Sequence, residues 1–250
     1  MTESAPLAPL AGLPEEVAAV LADFCNAARD AFGDRLESLV LFGSAAERRM
    51  RATSDVNVLI VLTAFDRDRV DRLRDPARLA YAAVRLQPMF VLASELSLAS
   101  EAFAVKFHDI LTRRVVIAGK DPFAGLTIPR AMILHRLRQV LLNTTIRLRA
   151  VYALESLREE QLAREIAEAA SPLRASASAI LDLEGRPAAS PRVALETIAA
   201  ELGSQWKAVL EGITDAREDG RLPAGIGPSL LLQLIDLAIA LRGRVDRAAA

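Results

Sequence analysis

The residues that could do chemistry gather in one stretch, LFGSAAERRMRATSDVNVLIVL, residues 41–62. Gly43 and Ser44 make a small polar step out of an apolar run, and ten residues separate Ser44 from Asp55. Asn57 follows two positions after Asp55, at the head of a second apolar run. In a strand, alternate residues share one face and lie ~6.6 Å apart. Asp55 and Asn57 are therefore expected side by side at a sheet edge. Two carboxylates in that arrangement suit magnesium, a hard cation that takes oxygen ligands. A third on a neighbouring strand completes a set for two metals, which align a nucleoside triphosphate for in-line attack. The Gly43-Ser44 turn lets backbone N–H groups approach phosphates closely, and the Ser44 hydroxyl adds a donor. Asn57 is the departure, because its amide oxygen can ligate a metal but brings no charge.

The elements that must hold these residues follow from patterning. LESLVLF (36–42) reads as a strand that ends at the Gly-Ser turn. SDVNVLIVL (54–62) reads as a second strand, with Val56, Val58, Ile60 and Leu62 on one face. Its distal half is apolar on both faces, as in a central strand of a covered sheet. A helix is expected to open at Pro14 and run to Phe32, with Glu15 and Glu16 at the positive end of its dipole. The Asp- and Arg-rich residues 66–75 read as a polar connection, with a helix beginning at Pro76. PMFVLA (88–93) and RVVIAG (114–119) read as strands three and four, separated by a helix over 100–111. After Pro129 only helices are expected: a long one from Arg130, then 159–183 with a break or kink near Pro172, 191–202, 204–213 and 227–247. Residues 1–12 read as a loose tail. The boundary is placed so that 12–128 and 129–250 are the two domains.

The order strand, Gly-Ser, helical segment, Ser-Asp, apolar strand resembles the nucleotidyltransferase superfamily, which includes DNA polymerase β and the kanamycin-type aminoglycoside nucleotidyltransferases. The matching residues are Phe42, Gly43, Ser44, Ser54, Asp55, Asn57 and the apolar run 58–62. Gly119, Asp121, Pro122 and Phe123 also match a G-x-D-P-F connector, which in similar bacterial proteins leads into an Arg-rich helix. The resemblance implies an α+β fold: a small mixed sheet with flanking helices, then an all-helical bundle. It also implies an NTP and Mg2+ held at Gly43, Ser44, Asp55 and Asn57. This chain departs from the pattern twice. Asn57 replaces the second carboxylate, and the strand at 88–93 carries no acid, the nearest being Glu95.

The expectation is accordingly a nucleotidyltransferase-superfamily protein with a degenerate catalytic site, weak metal binding, and a nucleotide or partner bound in an interdomain cleft. The turn's backbone donors do not depend on the lost acids. The alternatives are an active enzyme that uses Asp55 with Glu95 or Glu101, and an interaction module of a toxin–antitoxin-like pair. Partners left open are a nucleotide or small molecule, a protein, a nucleic acid and a second copy of the chain.

Composition narrows the rest. Hydrophobic residues make up 52% of the 250, aromatics only 4%, so the core must be packed by aliphatic side chains. A net charge of -1 argues against bulk attraction to polyanions. With Cys25 as the only cysteine, there is no internal disulfide and no cysteine-rich metal site. No apolar run reaches the ~18 residues of a membrane span and the first residues lack a basic leader, so a cytoplasmic protein is expected. Arg48, Arg49 and Arg51 form a basic loop that is either solvated or turned to phosphates. Arg130, Arg136, Arg138, Arg147 and Arg149 form either a basic wall or stems lying over a bundle core. His108 and His135 lack metal-ligand spacing, Trp206 reads as a core anchor, and Lys120 with Asp121 as a surface pair.

Overall fold

A computed structural model describes residues 8–50 and 54–248. Strand β1 (Leu36–Phe42) pairs antiparallel with β2 (Val56–Leu62) and with β4 (Arg114–Gly119). Strand β3 (Leu86–Leu92) pairs parallel with β2, so the mixed sheet has the order β3-β2-β1-β4. The parallel pair needs a crossover, and α2 (Arg67–Val84) supplies it. Helices α1 (Glu15–Phe32) and α2 pack on each other. They meet Val56, Val58, Ile60 and Leu62 through Phe24, Phe32, Leu73 and Ala80. On the other face of β2, Leu59 and Val61 are also fully buried, as expected for a central strand.

Two local expectations change. Helix α2 begins at Arg67, nine residues before Pro76, because Asp66 caps it by accepting from the Arg69 amide at 3.0 Å. Pro76 sits inside this helix and forgoes one backbone hydrogen bond. Strand β3 begins two residues earlier than read, at Leu86, and tolerates Pro88 because it is an edge strand. Of the tail, residues 1–7 lie outside the described residues, while Leu10 is buried in a short helical turn at Ala8–Leu10. Helix α3 (Leu96–Ala102) and α4 (Ala104–Thr112) replace the single helix expected over 100–111.

The chain forms two compact units, one of Met1–Glu101 with Ile110–Thr127, the other of Ala102–Asp109 with Ile128–Ala250. The second unit consists of α5 (Arg130–Glu155), α6 (Glu159–Leu183), α7 (Pro191–Leu202), α8 (Trp206–Glu218) and α9 (Gly227–Ala248). Helix α6 is central and packs against all four others. Residues 102–109 join this unit because Ala104 and Val105 enter its core and His108 Nε2 lies 2.8 Å from Asp182 Oδ2 on α6. No helix of the described residues is long and apolar enough to cross a membrane.

Candidate functional site

Strand register assembles the polar residues. Asn57 is the partner of Phe42 on β1 and of Gln87 on β3. The Gly43 turn therefore stands on one side of Asn57 and Gln87 on the other, ~4.8 Å away in each direction. A Cβ built on Gly43 would lie 3.8 Å from Asn57 Nδ2, so space is not what demands glycine here; the φ of +76° is. Asp55 precedes the first paired residue of β2. Its Oδ1 accepts from Arg85 Nε at 2.8 Å. Arg85 caps the end of α2 in the left-handed region (φ 54°, ψ 40°), and its backbone carbonyl accepts from the Val56 amide at 3.3 Å.

The turn itself is helical in character. Glu47 N–H donates to Gly43 O, and Arg49 N–H to Ser44 O. The Gly43 amide is consumed by Arg113 O at 3.0 Å and is not open to a ligand. Among the described residues, the amides of Ser44, Ala45 and Ala46 have no protein acceptor. These are the orphan donors of a first helical turn, suited to an anion. The turn is held from below by Glu47, which accepts from Arg113 at 3.1 Å in a mostly buried pair.

Magnesium fits this residue set badly. The site offers one carboxylate, already paired with a guanidinium, and two neutral amides, Asn57 and Gln87. A divalent cation placed beside Arg85 would be repelled by it, and an amide oxygen does not offset that charge. Among the described residues, no group of three or more His, Cys, Asp or Glu could hold a metal ion.

Gln87 and Arg85 are the site residues that sequence reading missed. The sequence pattern places the start of this strand at Pro88, one residue past Gln87, whereas β3 begins at Leu86. The available signal was the rule that a strand with proline lies at an edge, which keeps residues before Pro88 in play. Glu95 is elsewhere: Glu95 Oε2 accepts from the Leu92 amide at 3.0 Å, beyond the far end of β3. Six strand steps from Leu86 to Leu92 separate it from Arg85 and Gln87 by ~20 Å. Glu101 lies exposed on α3.

The basic candidates have structural work. Arg48 donates to the carbonyls of Pro9, Ala11 and Ala45, stapling the N-terminal segment to the turn. Arg49 is exposed, and Arg51 lies outside the described residues. On α5, Arg130 donates to the carbonyls of Leu183 and Ala248, Arg138 pairs with Asp246, and Arg147 pairs with Glu165 and Glu168. Arg136 donates to Gln139 and stacks over Phe103; Arg149 is exposed. The helix is therefore tied down within its own unit rather than presented as a basic wall. His135 is exposed. Asp121 pairs with Arg114 at 2.7 Å, not with Lys120, and the same carboxylate accepts from the Phe123 amide. Arg114 also stacks on Phe123, so the G-x-D-P-F connector is a structural clamp. Trp206 packs against the helical core, as an anchor would.

No family model matches the chain, and no curated protein matches it in sequence. Its structure is similar to that of spectinomycin adenyltransferase AAD(9) from Enterococcus faecialis, solved with ATP and spectinomycin. The TM-score is 0.61 at 11% identity, over 91% of this chain and 98% of that one. At that identity the likeness carries no residue roles across. What it shows is architecture: this chain has the α+β nucleotidyltransferase fold of the kanamycin nucleotidyltransferase-like type, a mixed four-stranded sheet followed by a helical region.

Proposed function

We propose that this chain is a nucleotidyltransferase-fold protein whose catalytic site is degenerate, and that it binds a nucleotide where relatives of the fold transfer one. One observation carries the reading. The positions that converge at the head of β2 and β3 hold Asn57 and Gln87 as neighbours, and Asp55 in an ion pair with Arg85. In-line transfer between oxygens needs concentrated negative charge to hold two metals. Here the charge of the four side chains sums to zero. The phosphate-binding half is better preserved, with the Gly43 turn, three unpaired amides and the Ser44 hydroxyl. The active-enzyme reading requires a second acid near Asp55, and Glu95 is committed to capping Leu92 at the other end of the strand.

The test is transfer from labelled magnesium–ATP and magnesium–GTP to hydroxyl acceptors, spectinomycin among them. Wild type is expected to label none. Asn57→Asp with Gln87→Glu is expected to gain magnesium-linked nucleotide binding, seen as affinity that rises at least several-fold on adding magnesium. Robust metal-dependent labelling by wild type that disappears in Asp55→Ala would show the reading wrong.

A further inference from the structure

The cluster at the head of β2 and β3 is arranged for a ligand that brings its own negative charge. Arg85 uses Nε on Asp55, and among the described residues its two terminal NH2 groups have no protein partner. The same holds for the side-chain amides of Asn57 and Gln87 and for the Ser44 hydroxyl. These donors line up across three adjacent strands, from the turn after β1, through β2, to β3. From the Gly43 turn to Gln87 is two strand spacings, ~10 Å.

We infer that this site takes the oligophosphate of a nucleoside triphosphate without a divalent cation, with the Arg85 guanidinium supplying the positive charge. The inference rests on the reading that the site no longer runs the transfer reaction. A guanidinium is a planar fork that matches phosphate oxygens and stays charged at every working pH. The amides of Ser44, Ala45 and Ala46 serve one end of the phosphate chain. Arg85, with the carboxamides of Asn57 and Gln87, serves the other. The Arg85–Asp55 pair does not block this role. Its side chains are 59% and 39% exposed, so the pair is solvent-screened and exchanges its carboxylate for a phosphate at small cost. Arg85 is also rigidly based: its backbone closes α2 and bonds to β2, so the side chain starts from a fixed point.

The arrangement makes predictions opposite in sign to those of a metal site. The experiment is titration calorimetry of the full chain with ATP, first in EDTA and then in excess magnesium, with inorganic tripolyphosphate as competitor. Binding is expected in EDTA, displaced by tripolyphosphate, and no tighter when magnesium is added. Arg85→Ala should weaken it by about tenfold or more, the loss of a charge-assisted contact. Asp55→Asn should tighten it severalfold, because it releases the guanidinium; a misfolded variant cannot mimic that gain. Binding that requires magnesium, weaker binding by Asp55→Asn, or no binding by wild type would each overturn the inference. Failure of the underlying reading is seen separately, as label on an acceptor rather than heat of binding.

Discussion

At the scale of single residues, charge decides what this site can do. Asp55 alone would be a poor magnesium ligand, and with Arg85 against it the carboxylate is an anchor for a cation already present. Asn57 and Gln87, neighbours in register, are neutral carboxamides and add no charge beside the pair. Cys25 shows the same dependence on surroundings. It is fully buried among Leu21, Phe24 and Ala28, and burial pushes its thiol up to about 12. Only the thiolate reacts, so Cys25 should be inert to a disulfide reagent at pH ~8 and titrate fully once the chain is unfolded. Rapid labelling of the native chain would contradict the burial.

At the scale of elements, the sheet depends on close backbone approach at one point. Gly119 ends β4 opposite Ser38, with φ at +79°. A Cβ there would stand 1.9 Å from Glu37 O, which is backbone and cannot rotate away. Gly119→Ala must therefore open the β1–β4 edge, at a cost of about 3 kcal/mol or more, a shift of the urea midpoint that is simple to measure. Gly43→Ala faces only the conformational term, since its nearest neighbour is at ordinary contact distance, and should cost about 1 kcal/mol. The contrast separates a glycine needed for packing from one needed for a turn.

At the scale of the molecule, the helical unit is laced by an ionic network where α6, α7 and α9 end. Arg244 bonds Glu184 with both arms of its fork and also reaches Glu201, to which Arg186 donates as well. Arg186 and then Arg244 hold Glu201 at about 2, below its ordinary 4.5, and Arg244 lowers Glu184 too. A carboxylate whose folded pKa is depressed adds stability above its unfolded value and loses it as pH falls through the folded one. Thermal stability should therefore decline between about pH 4.5 and about pH 2. Arg244→Met should be less stable at neutral pH and decline less steeply over that window. Parallel pH profiles for the two proteins would dismiss the network as a contributor.

How much of this was legible beforehand differs by kind of interaction. The strands 36–42 and 114–119, the helix opening after Pro14 and the helical second half followed from periodicity, caps and punctuation. Those signals are local: alternation, a proline at a first turn and a glycine in a loop act within a few residues. The Gly43-Ser44 turn and Asp55 were visible for the same reason, as was the neutral amide at Asn57. The identity of Asn57's neighbour was not. Nothing within β3 states its register against β2, because pairing between parallel strands is set by a crossover helix and by the apolar faces it buries. Only that register put Gln87 beside Asn57 and Arg85 beside Asp55. The sequence by itself determined that a Gly-Ser turn and a lone acid stand at the head of a buried strand. The tertiary structure decided that the acid has a cationic partner, because a guanidinium 30 residues away is brought within hydrogen-bond distance of it.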